Sequence, residues 1–586
     1  MSLTLNNRHG RYSLGGRSPY WPNVRQGTPV QLSCDLGSGF TSIFTGYADG
    51  WTPNYSTRPE GAVAGVGDST VVLVASGSLR RMAQGQPPVI SPLRRGLASS
   101  TGVVAYWPCE DETGATLLAS AFPGAPPMDF SGRLHGGSNP GLPAATPRLA
   151  QSDVFACSAP LPLVSDSEWY GNVPDYPGTE IIQLRCLIAV PAAGSINGSV
   201  ILGMITTGDP GFWELRYMTG GLINVRAWRN FQSLVLDSPS VQLVPGPYGA
   251  GAGMVGIDGR SGQLGLTLTK SGGNIDWVVD FIEQGATVGY VYGPGMGGPT
   301  VAGASVGKVQ RIQTATDGGH VDVTLGHIVV RKDSRDTAAH IKQLNAYRGE
   351  IVGERLARLR DENAMWYVQY DPPPPYYPII SDTMGPQPVG TVLDLFRDCE
   401  TTDGGLLWDG RGPGLSYTTK RYRESPAPVL TLDAAAGEVG LPFEPKHDDA
   451  YRVNRAIAKR RGGASAVFED ATGPLGSTIV GRYEDSREFG VYSDTALPQY
   501  AGWMVGQGTA EGYRYPRLSL DLRAHPELLD EWLAVIPGDR VDVLNLSTIH
   551  PSAPTEAVSL VVEGYEQTIG PTTWTVIMIE APDTVT

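Results

Sequence analysis

At 586 residues the chain is too long for one hydrophobic core, and ordinary domain sizes divide it into about three or four. Charged residues make up only 18%, whereas 75 glycines and 47 prolines accompany 41% hydrophobic residues, a turn-rich mixture that predicts many short strands. The net charge of −15 would repel nucleic acid and anionic lipid, which argues against a nucleic-acid binder.

Residues 1 to about 100 read as a small β unit, with strands at Val30–Cys34, Ser42–Tyr47 and Thr70–Ala75. The stretch Gly85–Gly96, with its Gly-Gln-Pro-Pro start and the basic pair Arg94 and Arg95, reads as an exit linker. From Val103 to about Arg331 longer strands alternate with Gly- and Pro-rich loops, the length of a large sandwich. One hairpin can be registered from the pattern alone. Trp213, Leu215 and Tyr217 alternate with Phe212, Glu214 and Arg216, while Ile223, Val225 and Ala227 alternate with Asn224, Arg226 and Trp228. A two-residue loop would set apolar faces against polar ones, so a three-residue loop of Thr219, Gly220 and Gly221 is predicted, pairing Tyr217 with Ile223. That register sets Glu214 opposite Arg226 and Phe212 opposite Trp228 on the outer face, as one charge pair and one aromatic pair.

After Arg331 the period changes to about 3.6, with helices predicted over Asp336–Tyr347 and Glu350–Asn363. In the second, Val352, Leu356 and Leu359 form a stripe, and Glu354 stands four residues before Arg358 in the favourable order. The run Asp371-Pro372-Pro373-Pro374-Pro375 cannot continue a helix and marks a boundary. Beyond it come a helix around Val392–Cys399, a hairpin from Leu406 to Tyr417 and a helix from Pro526 to about Val535. A strand at Arg540–Leu544 and a closing hairpin of Ser559–Gln567 and Thr572–Glu580 follow. The organisation expected is an N-terminal β domain (1–100), an inserted sandwich (101–333), a helical connector (334–370) and C-terminal α+β domains (371–586).

Several phrases resemble the minor tail proteins of long-tailed actinobacterial phages, which build the hub at the tail tip. Phe44-Thr45-Gly46-Tyr47, Trp51-Thr52-Pro53 and Ser78-Leu79-Arg80-Arg81 look like that family's opening β domain. Asp448 to Arg455, Pro537-Gly538-Asp539-Arg540-Val541 and Val562-Glu563-Gly564-Tyr565 resemble its tube-like β-barrel hub domains. Ala105 to Asp111 looks like the first strand of a concanavalin-like, or laminin-G-like, jelly roll, and Leu325 to Val330 like its last. The resemblance implies a mainly β, multidomain chain in which hub domains are interrupted by a jelly-roll sandwich. It also implies a ring, usually a homotrimer, at the tail tip of the virion, which meets the tail tube, distal tail protein and tape-measure protein. DNA would pass its lumen without specific binding, as an acidic wall favours.

The eight histidines show no H-E-x-x-H spacing, and Ser38, between Gly37 and Gly39, lacks the pattern of a hydrolase elbow. Asp111 and Glu112, or Asp448 and Asp449, are adjacent and would point to opposite strand faces, so neither pair alone can flank a glycosidic bond. The five cysteines are scattered, without C-x-x-C, and read as reduced and mostly buried; Cys109 in particular reads as a core thiol. No apolar run suits a membrane span, and the polar start lacks a signal-peptide core, so folding in the bacterial host cytoplasm is expected. No catalytic residue and no cofactor is assigned, metal ligands are left unknown, and the chain is expected not to be an enzyme. A tail-associated cell-wall hydrolase, peptidase or glycosidase, is the alternative. The expected chemistry is binding: Phe212, Glu214, Arg226 and Trp228 would form a patch for host cell-surface glycan, rings stacking on sugar faces and polar neighbours bonding hydroxyls.

Overall fold

The computed structural model describes residues 1–7, 10–15, 18–35, 37, 39–55, 69–85, 87–112, 115–129, 145–146, 157–159, 161–164, 168–245, 254–303, 305–314, 323–334, 337–363, 368–370, 382–424, 426–441 and 443–582. Ser38, the proline run at 372–375 and the predicted helix start at Asp336 lie outside them. The fold is mainly β and falls into two compact units. One comprises Met1–Pro88, Glu350–Met384 and Thr391–Thr586; the other comprises Val89–Gly349 with Gly385–Gly390.

The first unit opens with an antiparallel sheet of β1 (Ser2–Asn6), β2 (Pro29–Asp35), β3 (Phe40–Asn54) and β4 (Thr70–Ser76) in the order β1-β4-β3-β2. β3 runs well beyond the predicted end at Tyr47 because its first half pairs with β2 and its second half with β4.

The second unit opens with a correction. Pro92–Ala98, expected within a linker, is a helix whose Ser91 Oγ caps the Arg94 N–H at 3.2 Å, with proline in its first turn. Leu93 and Leu97 on this helix are fully buried against the sheet that follows.

That sheet belongs to a sandwich built from β5 (Val103–Trp107), β6 (Leu117–Leu118), β7 (Met128–Asp129), β8 (Ala145–Thr146), β9 (Leu161–Val164), β10 (Tyr170–Asn172), β11 (Ile181–Ala189), β12 (Val200–Thr206), β13 (Phe212–Met218), β14 (Leu222–Arg229), β15 (Ser233–Asp237), β16 (Val244–Pro245), β17 (Met254–Val255), β18 (Ser261–Ser271), β19 (Asn274–Glu283), β20 (Tyr290–Tyr292), β21 (Val301–Ala302), β22 (Val309–Gln313) and β23 (Val323–Arg331). A nine-stranded sheet has the path β20-β19-β18-β11-β23-β9-β8, with β5 beside β23 and β21 beside β19. An eight-stranded sheet has the order β15-β14-β13-β12-β22-β10-β7-β6.

Alternate residues of the two sheets meet in one core, where Trp107, Trp213 and Trp277 are each at most 1% exposed. The first and last strands are neighbours, Trp107 pairing with Ile328 and Ala105 with Val330, so the sandwich begins and ends at one place on its own sheet. The other face of the nine-stranded sheet is also covered. Leu187, Ala189, Ile282 and Val329 pack there with the helix Pro92–Ala98 and with Leu344 of the helix Thr337–Leu344.

The chain then returns to the first unit through the helix Val352–Glu362, whose Val352, Leu356 and Leu359 are buried as the stripe predicted. Thr391 caps the helix Val392–Asp403, and Gly404, at φ +71°, ends it. The hairpin Leu406–Asp409 and Leu415–Thr418 follows as expected. A five-stranded sheet combines Pro428–Asp433, Arg517–Asp521, Arg540–Leu544, Val558–Ile569 and Trp574–Pro582, the last two forming the closing hairpin. A smaller sheet of Arg455–Arg460, Ser465–Glu469 and Glu484–Phe489 packs on the helix Leu497–Gly508. The predicted helix from Pro526 is a 3-10 turn, Pro526–Leu528, followed by Leu529–Ala534. Cys109, Cys157, Cys186 and Cys399 are buried free thiols and Cys34 is half-buried. Among the described residues no helix is long and apolar enough to cross a membrane.

Candidate functional site

The outer face of the eight-stranded sheet carries two unbroken rows of side chains, since cross-strand partners stand side by side and residues two apart share a face. One row runs Leu234, Trp228, Phe212, Ile205, Arg311, Asn172. The second runs Asp237, Arg226, Glu214, Gly203, Gln313, Tyr170, Asp129. The β13–β14 hairpin has the predicted register: Tyr217 faces Ile223, and Thr219, Gly220 and Gly221 form the loop, both glycines at positive φ. Phe212, Glu214, Arg226 and Trp228 therefore lie on one face.

Their partners differ from those expected. Glu214 Oε2 accepts from Arg216 Nε at 2.9 Å and from Trp228 Nε1 at 3.1 Å, while Arg226 Nε donates to Asp237 Oδ1 at 3.0 Å. In place of one charge pair there are two, Glu214 with Arg216 two residues along the same strand and Arg226 with its direct partner Asp237 on the next strand. Burial alone would raise the Asp237 pKa, but hydrogen bonds from Arg226 and Asn224 and the Arg226 charge hold it below the usual carboxylate value. Phe212 lies over Gly203, where a Cβ would come within 3.0 Å of its ring, and packs at 5.0 Å from Phe231. Phe212 and Glu214 are consequently buried, at 5% and 2% exposure, and Arg226 and Trp228 are half-buried. The ring open to a ligand at this end is Phe231, 57% exposed, in a tight turn where Asn230 and Phe231 both adopt positive φ. Sequence reasoning missed it because the turn carries no glycine to announce that conformation.

The middle of the face holds Arg311. Its guanidinium carbon lies 4.5 Å from the Tyr170 ring centroid, and the Tyr170 hydroxyl donates to Asp129 Oδ2 at 2.6 Å. The Arg311 Nε is buried without a hydrogen-bond partner among the described residues. Asn172 and Gln313 flank it with neutral amides, so this end offers polar contacts and the other end aromatic ones.

A second constellation lies on the opposite sheet. A bulge in β23 opposite Cys186 gives His327 a φ of +44° and brings its ring to Tyr106 Oη at 2.6 Å from Nδ1 and Ser158 Oγ at 2.8 Å from Nε2. Glu110 Oε1 lies 3.3 Å from His327 Nε2 and accepts from the Ala159 N–H at 3.0 Å. Burial would raise the Glu110 pKa, but bonds from His327, Ser91 and Ala159 outweigh it and lower it to about 2. A serine, a histidine and a carboxylate thus touch, yet Ser158 and His327 are 2% and 0% exposed, and no substrate carbonyl reaches the serine. The network ties strands together. Cys109, also at positive φ, sits in the core, where burial pushes its thiol well above the usual value.

In the other unit, a cleft of about 410 Å³ is lined by Arg423, Tyr451, Trp503, Arg514 and Glu563. Its charges are matched at close range, Arg423 with Glu563 and Arg514 with Asp448. Glu438, His525 and Glu527 offer three ligand atoms within 4.8 Å of one another, the one such group among the described residues. The adjacent pair Asp448 and Asp449 binds Arg514 and the Tyr483 hydroxyl separately.

No family model matches the sequence, and no curated protein does. Among solved structures, the tail protein from Neisseria meningitidis MC58 is similar at 16% identity, over 53% of this chain and 89% of that one, with a TM-score of 0.28. Trypanosoma rangeli sialidase is similar at 11% identity, over 52% of this chain and 46% of that one, with a TM-score of 0.25. The enzymatically active domain of tailspike protein 2 of bacteriophage CBA120 is similar at 12% identity, over 38% of this chain and 31% of that one, with a TM-score of 0.21. The chain thus spans less than half the length of the sialidase and of the tailspike. One expectation is corrected by these matches. The chain was expected not to be an enzyme, whereas its structural neighbours include a sialidase, an α-L-arabinofuranosidase, an alginate lyase and the active tailspike domain. A non-enzyme is therefore not maintained. Likeness of this degree assigns no activity to this chain.

Proposed function

We propose that the chain is a component of a bacteriophage tail whose inserted sandwich engages host cell-surface glycan through the outer face of its eight-stranded sheet. One observation carries the reading. A sandwich whose first and last strands are neighbours interrupts a separate unit formed by the segments before and after it, and its outer face is polar and aromatic where its other sheet is covered. An insert of that kind can be displayed without breaking its host unit. In the finer form of the reading, the interrupted unit is a tail-tip hub of the actinobacterial minor tail type, assembled as a homotrimer. Its partners are then the tail tube, the distal tail protein and the tape-measure protein. The sequence phrases at both ends of the chain support this form.

Immunogold electron microscopy of purified phage with antibody against this chain tests the role. Label at the tail tip is the expected result, and unlabelled particles with reactive denatured controls would overturn it. For the sandwich, Trp228→Ala is expected to weaken retention on host cell walls without unfolding the chain; unchanged retention would remove Trp228 from the glycan patch.

A tail-associated hydrolase acting on the same glycan is the second reading, and one feature of the face favours it. Asp237 has a side chain 44% exposed and, against the effect of burial, is held below the usual carboxylate pKa by hydrogen bonds from Arg226 and Asn224, the ionised state that a nucleophile or base needs. Release of reducing ends from host cell walls, lost in Asp237→Asn, is the outcome this reading requires.

A further inference from the structure

Four arginines of the eight-stranded sheet permit an internal comparison. Arg216 is paired with Glu214 at 2.9 Å, Arg226 with Asp237 at 3.0 Å and Arg229 with Asp209 at 2.6 Å. Arg311, on the same sheet, has no carboxylate partner among the described residues, and its Nε is sealed from water without a hydrogen bond. An Nε left in that state costs the fold the hydration that this one atom gave up, while the residue as a whole is half-buried. It is nevertheless held in place, because its plane rests on Tyr170 and the Tyr170 hydroxyl is fixed by Asp129. Asp129 stands two strands away and meets the Tyr170 hydroxyl, and no ion pair joins it to Arg311 among the described residues. The immediate neighbours in the rows are Ile205, Asn172 and Gln313, one apolar side chain and two amides.

We infer that Arg311 is the anchor for an anionic group of the ligand, and that the glycan taken by this face is acidic, bearing a carboxylate on a sugar ring. The inference rests on the glycan-binding reading of the face and sharpens it to a substrate class. A planar carboxylate matches the fork of a guanidinium and takes two parallel hydrogen bonds from it. Asn172, which is exposed, and Gln313 stand where they meet ring hydroxyls on either side. A phosphate diester offers the same guanidinium one charge on a tetrahedral group, and the titration sets it against the planar carboxylate. The net charge of −15 does not oppose such a contact, because at physiological salt charges more than about 8 Å apart are largely screened and the local guanidinium decides. Tyr170 keeps the cation rigid before the ligand arrives, so little side-chain entropy remains to be lost.

The test uses the full chain and calorimetric titration with oligogalacturonate, with the same oligosaccharide after reduction of its carboxyl groups, and with a glycerol phosphate polymer. The wild type is expected to bind the carboxylated sugar about tenfold or more tighter than the reduced one. Arg311→Gln is expected to abolish that preference while leaving the near-ultraviolet circular dichroism unchanged, and Arg311→Lys to retain part of it. Equal binding of the acidic and reduced sugars, or an Arg311→Gln variant with the wild-type preference, would overturn the anchor and leave glycan binding standing. Preference for the phosphate polymer would overturn the carboxylate. Retention of no saccharide by wild type on a broad glycan array would remove the glycan reading itself, and the anchor with it.

Discussion

The two sheets of the sandwich share one core and differ in what lies behind them. Every residue of β23 in the nine-stranded sheet is buried, whereas β14 in the eight-stranded sheet alternates buried Ile223, Val225 and Ala227 with half-buried Arg226 and Trp228. Both outer faces carry arginine–carboxylate pairs. On the nine-stranded sheet Arg185 donates to Asp280 at 3.0 and 2.5 Å and to Gln263 at 3.1 Å, with Arg185 and Asp280 2% and 5% exposed. On the eight-stranded sheet the pair of Arg226 and Asp237 has side chains 27% and 44% exposed, beside the more buried pair of Arg216 and Glu214 at 11% and 2%. The same chemistry is structural where both charges are sealed and adjustable where they are half-exposed. A charge sealed from water depends wholly on its partner, while a half-exposed one retains solvent as a substitute.

The largest effect expected from this contrast comes from breaking the sealed pair. Asp280→Ala leaves the Arg185 guanidinium buried and uncompensated, which should cost about 3–5 kcal/mol in urea denaturation of the sandwich. Replacing both together, Arg185→Met with Asp280→Leu, should recover most of that loss, because no charge is left stranded. A single variant within about 1 kcal/mol of wild type would mean that water reaches this face and that the contrast between the sheets is false.

The same difference decides what the sequence disclosed. The β13–β14 hairpin was legible because one face is apolar and the other polar, so a slip of one residue would have exposed the core, and Gly220 and Gly221 fixed the loop. β23 shows no such alternation, and its run of buried residues hides both its faces and the bulge at His327. The helix Pro92–Ala98 was readable from Ser91-Pro92, a cap followed by a first-turn proline, but the preceding Gln-Pro-Pro and the two arginines suggested a linker. Arg311 could not be found from sequence. Its importance comes from Tyr170, brought beside it only by sheet order and fixed there by Asp129, and from the carboxylates that its sister arginines have and that it lacks among the described residues.

A smaller effect separates the sheets by pH. Glu110, behind the nine-stranded sheet, has its pKa lowered from 4.5 to about 2. A carboxyl depressed in the folded state stabilises fully above its ordinary pKa and loses that contribution as pH falls through the folded value. The contribution of Glu110 should thus be about 3 kcal/mol at neutral pH and should fade between about pH 4.5 and 2. Glu110→Gln should flatten that acid limb in urea titrations at successive pH values. Asp237 is also depressed, yet its half-exposed position lets solvent screen the interaction, so Asp237→Asn should leave the acid limb nearly as in the wild type. Equal flattening by both variants would show that exposure does not set the difference.

The smallest effect bears most directly on the proposed use of the eight-stranded face. Arg226→Ala removes a half-exposed ion pair and should change stability by less than about 1 kcal/mol. The measurement is the urea midpoint of the variant against wild type at unchanged slope. Such tolerance is what a ligand face requires, since residues free to exchange a protein partner for a sugar cannot also hold the fold together. A loss above about 2 kcal/mol would place Arg226 among the sealed charges instead. The outer face would then be covered like its counterpart, and Trp228, Phe231 and Arg311 would have no glycan to meet.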